Sequence, residues 1–419
     1  MAIDFRNLEQ LMKIVKDQNA IQKIIDQQDQ ENEVGKIWTK DQHNEEGQQK
    51  RLVLLSEECD QTFPHIAHNG HMQDLSQLKG NIENFIGFSK IPTGIAGPLL
   101  VNGKNANGLY KIPLATTEGA LVASYNRGCK AATLAGGIRS IVVSEGVQRS
   151  PIFRFKDLIE VGRFLTWVVL QYDKFKEITS TCSNYAKLTN IKTNIEGNQV
   201  NLIFEFSTGD ASGQNMVTFC TSEICNYIIT NTPIQPKVWY LESNMSGDKK
   251  ANYQSFQNVR GKKVIAEIEL SEEIVRKVLK STPQLMEDYW KTATVSLIQL
   301  GSIGIQGHIA NALTALFIAT GQDVACISEA SVAVIRLDVT DSGGLYVSLT
   351  MPNLIVGTVG GGTSLPTQSE CLEMMDCYGP GNANKFAEIC CAIALAGELS
   401  IAAAIASGHF AQAHQNLGR

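Results

Sequence analysis

What this chain lacks narrows its function before any motif is weighed. It has no excess of one charge: 36 Lys and Arg stand against 42 Asp and Glu, a net charge of -6, with the two signs mixed throughout. That balance argues against a nucleic acid or an anionic membrane as the main partner, and leaves a small molecule. The ten cysteines contain no Cys-x-x-Cys pair, so no zinc ribbon or dithiol motif is expected, and no metal site. No uninterrupted apolar run reaches transmembrane length, because the longest, near the C-terminus, contains Glu398. Met1 to Gln18 reads as an amphipathic helix (Leu8, Leu11, Met12, Val15) rather than a secretory signal. Reduced thiols and a cytoplasmic protein follow as expectations. The usual nucleotide fingerprints are missing as well: Gly360-Gly361-Gly362 lacks a third glycine at the right offset, and no Gly-Lys-Ser or Gly-Lys-Thr follows a glycine loop. A conventional Rossmann domain or P-loop is therefore not expected.

What is present is a chain of 419 residues, long enough for a large core and two or three domains. Residues 1 to 86 are the most polar part and are read as a small helical region with loops. His65, His68 and His71 surround the turn signal Asn69-Gly70 with no carboxylate or cysteine set beside them, which reads as a solvated loop. From Asn81 the composition becomes apolar and glycine-rich, through Ile91-Pro92-Thr93-Gly94-Ile95-Ala96-Gly97-Pro98-Leu99. Glycines and prolines this close exclude a regular helix.

Next comes Ile112-Pro113-Leu114-Ala115-Thr116-Thr117-Glu118-Gly119, running on into a small-residue stretch that ends at Gly136-Gly137. It reads as strand, then helix, with Thr117 as N-cap and Glu118 in the first turn. Residues 151 to 240 read as a β-α-β-β-α-β unit of ferredoxin-like type: a strand at Ile152 to Phe155, a helix from Lys156 to Ile178, a hairpin around Gly197-Asn198, a helix from Ser212 to Thr230 and a strand at Lys237 to Leu241. It looks inserted, because the glycine-rich character before it resumes after it. Further on, Ala310 to Thr320 is an apolar helix closed by Gly321, which leaves Asp323 just outside. A helix from about Lys385 to Ala406 is apolar or small on nearly every face and marks the centre of a domain. The fold class is α+β: a large domain (87–150 and 241–419) around this buried helix, with 151–240 inserted and the small helical N-terminal region before it.

Taken by themselves, the chemical candidates are Glu118 at its strand-to-helix corner, the adjacent Lys249 and Lys250, Asp323 and His414. A buried Glu, Lys and Asp that share protons suit acid/base work. Each also has a plainer reading: a helix-dipole carboxylate for Glu118 and a solvated turn for Asp248-Lys249-Lys250. Gly209-Asp210-Ala211-Ser212-Gly213-Gln214-Asn215-Met216 opens a helix whose free N–H groups favour a diphosphate, or it is simply an Asp-capped start.

The combination of Glu83-Asn84-Phe85-Ile86-Gly87, Thr116-Thr117-Glu118-Gly119, Asn126-Arg127-Gly128, the 209–216 stretch, Asp248-Lys249-Lys250, Gly321-Gln322-Asp323 and Gly357-Thr358-Val359-Gly360-Gly361-Gly362-Thr363 resembles 3-hydroxy-3-methylglutaryl-coenzyme A (HMG-CoA) reductase. The likeness covers roughly residues 80 to 419 in order, and its Asp-Lys-Lys loop is similar to the class I branch. The resemblance implies four-electron reduction of HMG-CoA to mevalonate and coenzyme A with two NADPH, NADH being the alternative. It also implies a dinucleotide held by the insert, and a homodimer with shared active sites, or a tetramer. Carried over by motif, Glu118, Lys249, Asp323 and His414 are the catalytic set. Arg127, Arg149, Lys250, Lys291 and Asn311 fall on the substrate, and Ser183, Asn184, Asp210, Gln214, Asn215 and Gly360 on the cofactor.

The implied roles are physically coherent. Hydride reaching a thioester carbonyl creates an oxyanion, which a cation at Lys249 stabilises. The leaving thiolate needs a proton, which a His such as His414 can give. The aldehyde needs another, for which Glu118 is suited once apolar burial keeps a carboxyl protonated. Glu242-Ser243-Asn244 stands where class I members have Ser-Gly-Asn, and Ser183-Asn184 where they have the Ser-Arg that holds the extra phosphate of NADPH. Neither the regulatory serine tail nor the membrane domain known from some members of the family is expected from these 419 residues. Two alternatives remain: another acyl-CoA or aldehyde oxidoreductase on this scaffold, or a non-catalytic homologue.

Overall fold

The computed structural model describes residues 44–59, 67, 68, 72 and 74–410. The helix expected over residues 1–18, together with His65, His71 and His414, lies outside the described residues. The chain forms two compact units, Met1–Lys90 and Ile91–Arg419. In the first, helix α1 (Glu45–Cys59) buries Arg51, whose Nε donates to the Phe85 carbonyl at 2.6 Å.

The second unit is a mixed helix-and-sheet structure built on helix α9. In chain order it holds β1 (Thr93–Asn102), β2 (Asn107–Ala115), α2 (Leu121–Leu134), β3 (Arg139–Arg149), β4 (Ile152–Arg154), α3 (Leu158–Leu170), α4 (Tyr172–Cys182), β5 (Lys187–Glu196), β6 (Gln199–Ser207) and α5 (Gln214–Asn231). There follow β7 (Val238–Tyr240), β8 (Gly261–Leu270), α6 (Pro283–Leu300), α7 (Ile309–Thr320), β9 (Val334–Val339), β10 (Leu345–Leu354), α8 (Pro366–Met374) and α9 (Ala383–Ala406). Strands β1 and β2 form a separate hairpin, and the others one antiparallel sheet in the order β7-β4-β6-β3-β8-β10-β9, with β5 on the free side of β6.

Within 152–240 the strands thus lie in the order β7-β4-β6-β5, each pair antiparallel. Strand β6 pairs with β4 through Gln199 to Asn201 and with β3 through Phe204 to Phe206. Strand β3 pairs along the rest of its length with β8, so the sheet runs unbroken past residue 151. Burial divides where the sheet does not. One buried apolar cluster surrounds Phe153, Phe164, Phe175 and Phe204, and a larger one surrounds α9.

Helix α9 is buried over most of its 24 residues. Among the described residues it alone is long and apolar enough to cross a membrane, yet protein covers its faces. The Ala- and Gly-rich sequence lets α2 approach to backbone contact: a Cβ on Gly128 would collide with the Ala396 carbonyl, and one on Gly397 with the Tyr125 ring. Its buried polar residues Glu388, Glu398 and Ser400 are partnered. Glu388 accepts from the Asn105 and Ala106 amides, each at 2.7 Å, and so pins the β1–β2 turn. Helix α7 ends at Gly321 (φ 69°), where a residue with a Cβ would also strike Gly362.

Three expectations are corrected. Thr117 does not cap α2; Thr116 Oγ1 accepts the Glu118 amide at 3.0 Å, Ala120 adopts φ 69°, and the helix starts at Leu121. Glu118 therefore lies on the corner before the helix, not in its first turn. The helix expected over 156–178 is two helices, broken at Gln171, whose side chain binds the Tyr227 hydroxyl at 2.8 Å. The α6 helix was not anticipated, although Thr282 caps it and Pro283 opens it.

Gly128→Ala is expected to lower stability by about 1–3 kcal/mol, because the backbone behind the new methyl cannot move without shifting α9. Urea denaturation measures it, and a midpoint equal to that of the original chain would mean the helices are not in contact.

Candidate active site

The loop after β7 carries the lysine. Asn244 and Lys249 both adopt positive φ (69° and 55°), and the loop is bound from below by buried charges. Arg149, 7% exposed, donates to Glu242 at 3.0 Å and to Asp248 at 3.2 Å. Arg260, 2% exposed, donates to Asp248 and, at 2.7 Å, to Glu329. Glu329 is fully buried and also accepts the Lys249 amide at 3.2 Å. Burial pushes its carboxyl up, and the Arg260 charge opposes that.

From this base the Lys249 ammonium reaches Asp323 at 2.9 Å. The bond from Asp323 is the largest influence raising the Lys249 pKa; burial works against it. Burial alone would raise Asp323, but the bond and charge of Lys249, with the Ala325 amide and Gln214, hold it below the ordinary value. Gln214, the first residue of α5, donates to Asp323 at 3.2 Å, while its carbonyl accepts from Arg149 at 3.3 Å. The start of α5 is thus joined to the Lys249–Asp323 pair.

A second group forms at the other end of α7. Asn311 donates to Glu118 at 2.8 Å, and both line a cavity of about 400 Å³ with Arg127, His308, Tyr125 and Phe410. Arg127 is anchored by Ser400 of α9, its Nη2 donating to the carbonyl at 2.7 Å. His308 stacks on Tyr125 and places Nδ1 3.2 Å from Glu398. Glu118 itself is exposed, so the apolar burial expected of it is not supplied by the described residues.

The remaining expected residues divide. Lys250 turns back to the Asp248 carbonyl at 2.9 Å. Lys291 is not brought to the others: it is exposed on α6 and pairs with Glu287, one turn earlier, at 2.7 Å. Asp210, expected at the cofactor, spends its carboxylate on the start of α9, accepting from Gly381 at 2.8 Å and Ala383 at 3.1 Å. Ser183 accepts the Tyr185 and Ala186 amides at 3.1 Å, and Asn184 and Asn215 are exposed. His414 is outside the described residues.

The site also fits a dinucleotide in one observable respect. Gly213 (φ 80°) starts α5, and the Gly357 loop lies so near that a Cβ there would sit 2.6 Å from the Ser212 nitrogen. Thr358 donates to the Asp210 carbonyl at 2.9 Å, and Gly360 and Gly361 follow at positive φ. Two glycine-bearing loops in backbone contact at a helix N-terminus are the kind of setting whose free amides suit a diphosphate. Arg260 and Glu329 were missed, since Ser328-Glu329-Ala330 has the look of a helix surface.

The sign of the pH response follows from the two shifts. The raised Lys249 contributes its charge fully below its ordinary value of 10.5 and loses it only as pH rises through the higher folded value. The lowered Asp323 keeps its charge above 3.8 and loses it as pH falls through the lower folded value. Asp323→Asn removes the main support of the ammonium, so Lys249 should release its proton at lower pH. NMR titration of labelled lysine, assigned with Lys249→Arg, reads this directly; an unmoved titration would mean the pair does not form in solution.

Residues 47–419 match the family model of hydroxymethylglutaryl-coenzyme A reductase. The chain is 46% identical over 365 residues to the 3-hydroxy-3-methylglutaryl-coenzyme A reductase of Pyrococcus abyssi, covering 84% of this chain and 89% of that one. It is 43% identical over 363 residues to that of Methanocaldococcus jannaschii, covering 85% and 89%. In fold it is similar to the class II reductase of Streptococcus pneumoniae in a structure bound to NADPH, with a TM-score of 0.65 at 17% identity over 85% of this chain and 96% of that one. With this match along nearly its whole length, a core built on α9 and the Lys249–Asp323 pair in place, the chain belongs to the hydroxymethylglutaryl-coenzyme A reductase family, oxidoreductases of the mevalonate pathway.

Proposed function

We propose that this chain reduces HMG-CoA to mevalonate and coenzyme A as a cytoplasmic class I-type enzyme, using NADPH and accepting NADH. The observation that carries the reading is the Lys249–Asp323 pair at 2.9 Å, joined by Gln214 to the start of α5. The bound dinucleotide supplies hydride. Lys249, kept charged by Asp323, faces the developing oxyanion; Glu118, held by Asn311, carries a proton to the carbonyl oxygen, and His414 one to the departing thiolate. The class I assignment is supported by the Asp248-Lys249-Lys250 loop and by an identity of only 17% to the class II chain.

The separate buried cluster and the β7-β4-β6-β5 strand order support residues 151–240 as a ferredoxin-like dinucleotide domain, with 87–150 and 241–419 as the HMG-CoA domain. Ser183 and Asn184 follow α4, which runs antiparallel to α5: Gln171 and Phe175 near its start meet Tyr227 near the far end of α5. They thus lie toward the same end as the start of α5. Arg149, Lys250, Lys291 and Asn311 remain the residues proposed to hold the hydroxymethylglutaryl group and to support the lysine, with Arg127 beside the Glu118 cavity.

Geometry also favours a homodimer, or a tetramer made from it, with shared sites. Glu118 and Asn311 lie at the start of α7 and Asp323 beyond its end, about 14 Å along the axis for the nine residues from 311 to 320. Groups acting on one carbonyl cannot be that far apart, and a second copy can bring the complementary half.

Purified protein should oxidise two equivalents of NADPH per HMG-CoA, followed at about 340 nm, the nicotinamide absorbance band. Lys249→Ala should cost about 3 kcal/mol or more in kcat/KM; a folded variant within about threefold of the original would place the lysine outside the chemistry. The cofactor preference follows from Asn184, which offers hydrogen bonds but no charge to a 2'-phosphate, while an Arg fork would offer both. Asn184→Arg should widen the ratio of kcat/KM for NADPH over NADH, and an unchanged ratio would remove this segment from the 2' position.

A further inference from the structure

We propose that Glu329 is a positioning residue for the reaction: fully buried beneath the 248–250 loop, it holds the backbone from which the Lys249 ammonium reaches Asp323. The inference rests on the reading of Lys249 given above. Glu329 makes no contact with the ammonium; it acts through the Lys249 amide and through Arg260.

Its two oxygens do different work. One accepts the Lys249 amide at 3.2 Å and the other the Arg260 Nε at 2.7 Å. Arg260 carries the constraint on to Asp248, the residue just before Lys249, and to the Gln148 carbonyl at 3.2 Å. Asp248 is gripped from its other side by Arg149. The lysine is therefore held at its own amide and at the preceding side chain, and this hold is needed because its φ of 55° lies in the left-handed region. A non-glycine residue keeps such a conformation only where its surroundings over-determine it.

The place of Glu329 in the chain adds a second constraint. It stands on the short turn Ile327–Ala330, six residues after Asp323, so one connecting segment supplies the partner of the Lys249 side chain and the partner of its backbone. Movement of that segment carries both together, which keeps the ammonium and carboxylate in register. With one acceptor oxygen in place of two, as in Glu329→Gln, the Lys249 amide and Arg260 can no longer both be served and an NH2 faces one of these donors; the left-handed turn relaxes, and Nζ leaves Asp323.

The test reads Lys249 directly. Acylation of Lys249 by acetic anhydride, relative to the exposed Lys111, is measured by mass spectrometry in the original chain and in Glu329→Gln. The ratio should rise about threefold or more, since an ammonium released from Asp323 gives up its proton more readily. Turnover should fall about 100-fold, the scale of an ångström-size misplacement, with KM for HMG-CoA nearly unchanged. In a Lys249→Ala background the same change should cost no further turnover, because the residue acts through the lysine. An unchanged labelling ratio in a folded variant, or an additive loss in the double variant, would overturn the proposal. The labelling arm stands even if the chain proves inactive on HMG-CoA, which would sink the functional reading instead. Should the Gln variant not fold, Arg260→Lys keeps the charge beside Glu329 but loses the fork to Asp248, and the same labelling ratio decides.

Discussion

The fold depends on one contact, the approach of α2 and α9 to backbone distance at Gly128 and Ala396. A helix that close to its neighbour leaves no room for side chains between them, so α9 can be both long and central. What turns it into a scaffold is the small set of polar groups along it. Asp210 bonds to its first turn, Glu388 holds the β1–β2 turn, Glu398 holds the amides of Gly307 and His308 at the start of α7, and Ser400 holds Arg127. Each joins α9 to a segment distant in sequence. Buried carboxylates are tolerated here because several donors converge on each, which offsets the loss of water.

That arrangement fixes both ends of α7. Glu398 and the stacked Tyr125–His308 pair fix the start of α7, and with it Asn311 beside Glu118. Gly321 stops α7 abruptly, in backbone contact with Gly362, and Asp323 emerges two residues later toward Lys249 and Gln214. A rigid helix of fixed length thus separates the proposed acid from the proposed oxyanion stabiliser. The separation is a property of α7, not of mobile loops, and closing the site by bending within one chain would break the packing that α9 enforces.

Legibility in the sequence followed locality. Asp323 could be found because a glycine after an apolar helix marks a left-handed stop, and the 209–216 stretch because glycines, an acid and an apolar run announce a helix start. The β5–β6 hairpin was equally plain from Gly197-Asn198. Features set by tertiary partners were hidden. The break at Gln171 has no Gly or Pro to signal it and depends on Tyr227. Arg260 and Glu329 are 69 residues apart, and each taken alone resembles ordinary surface. The bonds from Asp210 to the start of α9 were equally hidden, since its own local setting is the start of α5 and its partners lie more than 170 residues away.

The buried charges beneath the lysine loop explain why Lys249 itself can stay partly open. Glu242, Arg149, Asp248, Arg260 and Glu329 alternate in sign, so each arginine lies between two carboxylates. Each arginine is shared by two carboxylates and also donates to a backbone carbonyl, Arg149 to Gln214 at 3.3 Å and Arg260 to Gln148 at 3.2 Å; removing Glu329 would leave the buried Arg260 short of a partner, at a cost of about 3–5 kcal/mol. The loop is thereby fixed without using the ammonium. Lys249 and Asp323, with side chains 44% and 37% exposed, remain at the surface of this base, where water screens their attraction. In the proposed dimer with substrate bound, that water would be displaced, and the same pair would act in a lower dielectric, where a charge aimed at a developing oxyanion has its greatest effect.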